Sequence, residues 1–349
     1  MKKTKYDSYL KNNLPLGCKY CLKGEKLVLF ITGKCSRACW YCSLSENRKK
    51  ETKTYANERP CKNIKDILLE AKENNAKGAG ITGGDPLVEY KKTLSYAKAL
   101  KQEFGKEFHI HIYLPLNLVT LQKIKNLSKC IDEFRFHPSF LINSENQEQE
   151  KQKIKEISKI LTKKRVGLEL PLIPKQKKII LNYIQDLENY ISFVNLNEFE
   201  ISETNFNIIT KKYKLNKDTY TISKSKKAGI WIIKKLKKSK LNIHLCTAKT
   251  KDAHQYKNRL KKHNILPYGH KTNEGTVIYF CTYYKKLNGL EDKIKNITKN
   301  YFLDKKKKRI IIKMQDVKKV YNKTKLKIAR VEEPPTYNSD YLEFSYIDE

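Results

Sequence analysis

Apolar residues in this 349-residue chain recur in two alternating patterns. Short apolar runs bounded by glycine, proline or polar residues predict buried strands, and apolar residues spaced three and four apart predict amphipathic helices. The predicted strands cover residues 27–32, 78–82, 107–114, 131–137, 165–173, 197–202 and 241–246. The predicted helices lie between them at 63–75, 90–104, 119–127, 145–162, 179–191 and 224–238.

Strands that alternate with helices are typical of an α/β protein with a parallel sheet. From the pattern alone, the sheet could be a TIM-like barrel or an open, doubly wound sheet. Beyond residue 246 the pattern changes, and a basic helix is followed by a small basic α+β C-terminal appendage with predicted strands at 275–284, 309–314, 326–331 and 341–346. We therefore predict an N-terminal arm (1–26), an α/β core (27–246) and the appendage (247–349).

Lysine and arginine outnumber aspartate and glutamate by 73 to 37, which gives a formal net charge of +36. Such a charge attracts polyanions, so RNA is a predicted partner. A second explanation stays open, because the excess is mostly lysine spread over every segment, as an A/T-rich genome would produce. Arginine, which suits bidentate phosphate recognition better, is scarce.

Nine cysteines in a chain of this length do not form a disulfide framework. The N-terminus has no apolar signal-peptide region, and no stretch approaches the roughly 18 apolar residues that a membrane span requires. We expect a soluble, cytoplasmic protein with no membrane association.

The most informative cysteines, Cys35, Cys39 and Cys42, directly follow the first predicted strand with C-x3-C-x2-C spacing. Three thiolates on one short loop can ligate three irons of a [4Fe–4S] cluster. The fourth iron then has no local protein ligand, and an open coordination position is typical of a site for chemistry. From spacing alone, a zinc knuckle or three free thiols are the alternatives.

With Tyr41 before the last cysteine, this motif resembles the signature of the radical S-adenosylmethionine (radical SAM) superfamily. A second motif, Gly83-Gly84-Asp85-Pro86, follows the second strand and resembles the family's Gly-Gly-Glu-Pro turn, with Asp in place of Glu. The resemblance implies a partial (β/α)6 TIM-like barrel. It also implies that the open iron of a [4Fe–4S] cluster binds S-adenosylmethionine (SAM) and generates a 5′-deoxyadenosyl radical. Tyr41 would lie beside the adenine, and the Gly83–Pro86 turn would hold the methionyl amine.

In such barrels the site lies at the carboxyl ends of the strands. Asn117, His137 and Glu169 lie at or near these ends in the predicted order and are further candidates for binding SAM. For each of them, a capping or loop role is the alternative. Because Glu169 stands between two leucines on a buried strand, its carboxylate requires a partner.

Three further cysteines, Cys18, Cys21 and Cys246, precede the first strand and end the last one. We hypothesise that they meet and bind an auxiliary Fe–S cluster or zinc, with His244, water or substrate as the fourth ligand. The alternative is that they are ordinary thiols.

The Gly17-Cys18-x-x-Cys21 pair, the cysteine loop and Asn57-Glu58-Arg59-Pro60 together resemble a group of archaeal radical SAM proteins related in sequence to the pyruvate formate-lyase activating enzyme. That relation does not fix a substrate. The expected function is a radical SAM enzyme that receives an electron from an external ferredoxin- or flavodoxin-like reductant and modifies nucleic acid, with tRNA as the candidate. The alternative is small-molecule chemistry, cofactor biosynthesis or protein activation. A non-catalytic Fe–S binding module fits less well.

Overall fold

The computed structural model describes residues 1–217 and 219–347. The chain divides into two compact units, of which the first comprises Met1–Lys72 and Ala76–Tyr256 and the second comprises Glu73–Asn75 and Lys257–Glu349. Among the described residues, no helix is both long enough and apolar enough to cross a membrane.

The first unit contains most of the regular structure. Its strands are β1 (Lys2–Lys3), β2 (Tyr9–Lys11), β3 (Lys26–Phe30), β4 (Thr54–Ala56), β5 (Arg59–Cys61), β6 (Gly78–Thr82), β7 (His109–Pro115), β8 (Glu133–His137), β9 (Val166–Leu172), β10 (Phe193–Glu198) and β11 (Asn242–Cys246). Its helices are α1 (Leu16–Leu22), α2 (Ile64–Glu73), α3 (Tyr90–Phe104), α4 (Leu121–Leu127), α5 (Gln147–Leu161), α6 (Lys177–Leu187), α7 (Phe206–Lys212) and α8 (Ser225–Lys235), and a π-helical turn follows at Thr250–Tyr256.

These strands form one sheet in the order β1-β2-β11-β10-β9-β8-β7-β6-β3-β4-β5. From β3 through β6 to β11, successive strands pair in parallel. Antiparallel strands close each side, and β1 and β5 are the unjoined ends of the sheet. The architecture confirms the predicted partial TIM-like barrel.

The two faces of the parallel strands differ in chemistry. Alternate residues such as Ile110 and Ile112 are fully buried in the main hydrophobic core. The residues between them are polar, and their side chains contact one another from strand to strand, as Arg135 does with Glu169 on the next strand. We call this second side the inner face. Because successive strand residues point to opposite sides, one register places most apolar side chains in the core and most polar ones on the inner face.

Three predicted boundaries differ from the structure. The sixth parallel strand is Phe193–Glu198 rather than 197–202, because Val194 pairs with Leu168 of β9 and Ile243 of β11. The first unit also continues past residue 246, because Lys251 forms an ion pair with Glu200 at 2.6 Å. The predicted N-terminal arm belongs to this unit too, since β2 pairs with β11 and extends the sheet.

The second unit is built on a six-stranded sheet. Its elements are α9 (Lys257–Lys262), β12 (His270–Lys271), β13 (Val277–Tyr283), α10 (Leu290–Lys295), β14 (Tyr301–Asp304), β15 (Arg309–Ile312), α11 (Val317–Thr324), β16 (Ala329–Glu333) and β17 (Glu343–Tyr346). The strand β14 was not predicted. A fully buried arginine, Arg309, pairs with Asp304 at 2.9 Å and with Glu333 at 2.7 Å, so its charge is compensated.

Candidate functional site

The loop after β3 carries Cys35, Cys39 and Cys42, and a buried ion pair anchors it. The Arg37 guanidinium pairs with Glu150, and their side chains are 4% and 9% exposed. Arg37 also donates to the Asn117 side-chain oxygen at 2.5 Å and to the His137 carbonyl. These contacts hold the middle of the loop against the carboxyl ends of the neighbouring strands.

The Gly-Gly-Asp-Pro turn runs directly against this loop. Gly84 donates its N–H to the Thr32 carbonyl at 2.8 Å, and Asp85 donates its own to the Lys34 carbonyl at 2.9 Å. A Cβ at Gly84 would lie 2.3 Å from the Lys34 oxygen, and one at Gly83 would lie 2.5 Å from the Thr32 oxygen. Gly83 also has a φ of +152°, which L side chains rarely adopt. Glycine is therefore required at both positions for the turn and the loop to touch.

The Asp85 carboxylate points into the protein. It accepts a hydrogen bond from Ser36 Oγ at 2.6 Å and another from the Leu87 N–H at 2.9 Å. Burial raises the pKa of Asp85, although both hydrogen bonds act in the opposite direction. Asp85 and Pro86 are both buried and contribute no lining to the cavity described next. The side chain that departs from the family motif thus joins the turn to the cysteine loop.

A cavity of about 370 Å³ opens between the loop, the turn and the carboxyl ends of the strands. Its lining includes most of the predicted site residues, namely Cys35, Cys39, Tyr41, Cys42, Gly83, Gly84, His137 and Glu169. It also includes residues that were not predicted, among them Arg37, Tyr113, Asn197, Glu198, Phe199, Glu200 and Lys251. Asn117 lies outside this cavity, and its contact with Arg37 gives it a role in holding the loop.

The three loop cysteines differ in exposure, with Cys35 exposed and Cys39 and Cys42 half-buried. Burial, reinforced by the charge of Cys35, raises the pKa of Cys39 to about 11. The thiol is therefore protonated at neutral pH, and a metal must displace its proton. The three sulfur atoms do not all lie within 4.8 Å of one another, so they do not form a ready site for a single ion.

Tyr41 and His137 form a hydrogen-bonded pair on the cavity wall. The Tyr41 hydroxyl lies 3.0 Å from His137 Nε2, and His137 Nδ1 lies 2.9 Å from the Glu169 carbonyl. If Nδ1 carries the proton and donates to that carbonyl, Nε2 accepts from the tyrosine. Burial lowers the pKa of His137, which favours this neutral form.

The Glu169 carboxylate has the partner that its position requires. Arg135 donates to one oxygen at 3.0 Å, and Asn197 donates to the other at 2.7 Å. Arg135 itself is only 1% exposed and also pairs with Glu133. The inner face therefore carries a continuous buried network that ends at the cavity.

The second group of predicted cysteines lies on the same network. Arg135 donates to the Cys18 sulfur at 3.3 Å. The amide of Gln255 lies between the other two, since it accepts from the Cys21 thiol at 3.0 Å and donates to the Cys246 sulfur at 3.4 Å. Burial raises the pKa of Cys18 to about 11 and that of Cys246 further. The structure thus places all three in one region, which we call the α1 cysteine cluster.

The comparisons with known proteins agree with this geometry. A family profile described as the radical SAM superfamily matches residues 29–166. A Methanocaldococcus jannaschii protein named "Putative glycyl-radical enzyme activating enzyme MJ0021" is 38% identical over 290 residues, which are 78% of this chain and 75% of that protein. The chain is a radical SAM enzyme.

Radical SAM enzymes use a [4Fe–4S] cluster and SAM, and the cavity has two features that fit these cofactors. Among the described residues, only Cys35, Cys39 and Cys42 contribute thiols to its lining, so a cubane bound there keeps one iron open. The backbone of Gly83 and Gly84 lines the same cavity as these thiols, and the turn packs directly against the backbone that leads into the cysteine loop.

The missed residues show what the sequence pattern could reveal. Asn197 and Glu198 end strand β10, which the sequence pattern placed four residues too late. With the correct bounds, the rule that barrel sites lie at the carboxyl ends of strands would have identified both residues. Arg37 stood out as an arginine inside the cysteine motif of a lysine-rich chain. Lys251 carried no such signal, because it reaches the cavity from the turn that follows the last strand.

Proposed function

We propose that this radical SAM enzyme removes a hydrogen atom from a glycyl residue of a partner protein, and that Cys35, Cys39 and Cys42 hold its cluster. The choice of substrate rests on the name of the M. jannaschii relative, which aligns over most of both chains. We further propose a ferredoxin- or flavodoxin-like protein as the reductant.

When bound, the reduced cluster supplies one electron that cleaves SAM to methionine and a 5′-deoxyadenosyl radical, which takes a hydrogen atom from the substrate. Carbonyls of the Gly83–Pro86 turn would accept from the methionyl ammonium, because the Asp85 carboxylate is already occupied by Ser36 and Leu87. Tyr41, His137 and Glu169 would line the SAM site, and the protein's task is to orient SAM and exclude water.

The charge of the cavity favours a protein over tRNA. The lining carries the carboxylates Glu169, Glu198 and Glu200 and two basic side chains, Arg37 and Lys251. Both basic side chains are already paired, Arg37 with Glu150 and Lys251 with Glu200. The site therefore does not share the positive excess of the whole chain, and among the described residues its lining offers a phosphate backbone no unpaired cation.

Hydrogen transfer from a labelled substrate tests the proposal. The reconstituted enzyme, SAM and a reductant are incubated with a glycyl-radical enzyme polypeptide that carries dideuterated glycine. We expect deuterium in 5′-deoxyadenosine and a glycyl radical in the EPR spectrum, and neither with the Cys39→Ala variant. Formation of 5′-deoxyadenosine that responds to tRNA and not to the polypeptide would overturn the protein substrate.

A further inference from the structure

The α1 cysteine cluster consists of three thiols that the catalytic cavity does not use. Cys18 and Cys21 are three residues apart on α1, and Cys246 ends β11. The fold brings Cys21 and Cys246 to the two ends of the Gln255 side-chain amide, which accepts from the first thiol and donates to the second sulfur. Gln255 lies on the π-helical turn Thr250–Tyr256, an irregularity that is frequent at functional sites.

The surroundings of these sulfurs provide positive charge and hydrogen-bond donors. Arg135 donates to Cys18, and the Gln255 amide donates to Cys246. The buried Lys26 amine contacts the Gly17 carbonyl and the His111 ring, and within the described chain it contacts no carboxylate. The nearby Glu133 carboxylate compensates this amine only in part, and a buried cation is costly unless further anions compensate it. Thiolates of Cys18 and Cys21 would supply those anions.

A second, independent observation points to a ligand in this region. His244, two residues before Cys246 on β11, is 1% exposed, and its Nε2 atom has no hydrogen-bond partner. Its Nδ1 atom lies 2.7 Å from the Asn195 side-chain oxygen, and the Cys18 thiol lies 3.8 Å from that same oxygen. If Nδ1 donates to Asn195, Nε2 keeps a free lone pair, which is the tautomer that metal-binding histidines use.

We propose that Cys18, Cys21 and Cys246 ligate a second iron–sulfur cluster. Binding releases the three thiol protons, and the Gln255 side chain turns away from between Cys21 and Cys246. The spacing favours a cluster over zinc. A single zinc ion holds its sulfurs at about 2.3 Å and so needs them close together, whereas these three sulfurs do not all lie within 4.8 Å of one another.

Metal content tests this proposal without any substrate, so it does not depend on the proposed reaction. The full chain and the variants Cys18→Ser/Cys21→Ser and Cys39→Ser/Cys42→Ser are reconstituted anaerobically with ferrous iron and sulfide. With two cubane clusters, the unaltered chain is expected to hold about eight irons and each variant about four. Cys130→Ser is the matched control, because Cys130 is a buried thiol that lies outside both cysteine groups and donates to the Leu127 carbonyl at 3.4 Å.

Either of two results would overturn the second cluster. One is about four irons in the unaltered chain with no change in Cys18→Ser/Cys21→Ser, and the other is one zinc ion per chain beside those four irons. If the double variant does not fold, the single change Cys246→Ser replaces it. Survival of the EPR signal of the loop cluster in Cys246→Ser then shows that the fold is intact while iron is lost from the second site.

Discussion

The loop cysteines and the α1 cysteine cluster belong to one compact unit but are held in opposite ways. Cys35, Cys39 and Cys42 follow a strand on an irregular loop and face a cavity of about 370 Å³. Cys18 and Cys246 are buried on a helix and a strand end and contact polar side chains directly. The loop thiols thus line open space on a segment that Arg37 and the glycine turn hold from behind. Thiols inside the fold are instead surrounded by side chains that form hydrogen bonds with them.

The largest effect is expected at the loop. Cys39→Ala removes one of the three proposed cluster ligands, so we expect formation of 5′-deoxyadenosine to be abolished. The product is measured by chromatography under reducing, anaerobic conditions. Cys130→Ala, the same change at a buried thiol outside both groups, should retain the activity. Product formation by Cys39→Ala at the unaltered rate would contradict the assignment of the loop.

The next effect concerns the charges beside the α1 cysteines. Arg135→Gln leaves Glu133 and Glu169 without their buried cation, and loss of one partner of a buried pair costs about 3 to 5 kcal/mol. The free energy of unfolding in urea should fall by that amount. Lys53→Gln breaks an exposed pair with Glu51 and should cost less than about 1 kcal/mol. Equal losses for the two variants would show that the inner network does not stabilise the fold.

A glycine substitution tests whether the loop depends on the turn behind it. Gly84→Ala places a methyl group 2.3 Å from the Lys34 carbonyl and must displace the cysteine loop. A displacement of about 1 Å can lower the rate about 100-fold, and we expect a loss of SAM cleavage of that order. Gly289→Ala is the control for backbone strain, because it has a φ of +67° and open space around it. It should lower thermal stability slightly and leave SAM cleavage unchanged.

The smallest effect is expected in acid. Burial alone would raise the pKa of Glu133, but the charges of Arg135 and His109 outweigh it and lower the pKa. A carboxylate with a lowered pKa stabilises the folded state above its unfolded pKa, and this contribution is lost as the pH falls through the folded pKa. Glu133→Gln should therefore flatten the decline of stability below about pH 4.5. The effect is smaller than that of Arg135→Gln, since Arg135 keeps Glu169 as a partner.

Urea unfolding of Glu133→Gln over a series of pH values measures this change. Glu51→Gln, at an exposed carboxylate, should leave the pH profile as it is in the unaltered chain. An unchanged profile in Glu133→Gln would show that this carboxylate is not part of the acid response.

The sequence pattern sufficed for the alternation of strands and helices and for the position of the cysteine loop after β3, whereas the resemblance of the motifs was needed to select the barrel. Helix α3 and strand β6 have the predicted bounds, because each has a strong period and a clear stop, Gly105 for the helix and Gly83 for the strand. The strand β10 was misplaced, because residues 193–202 contain two overlapping apolar runs of similar strength. Pairing with β9 and β11 selects the first run, and that information lies elsewhere in the chain.

The inner network could not be recognised from the strands alone. In β7, His109 and His111 alternate with isoleucines, which is also the pattern of a strand with one side in water. The structure instead buries both histidines. Only the closure of neighbouring strands and of α1 over this face removes water from it. The residues that form hydrogen bonds with Glu169 therefore could not be identified from the sequence, because their proximity depends on how the strands pair.

Because Arg37 and the glycine turn anchor the cysteine loop, the enzyme should recover readily after it loses iron. The conformational entropy of the loop is lost when the polypeptide folds, so taking up metal does not have to order it again. A loop that keeps its path when stripped of iron by oxygen or a chelator can be reloaded in place. We expect the metal-free chain to keep its secondary structure and to regain SAM cleavage on anaerobic repair without passing through the unfolded state.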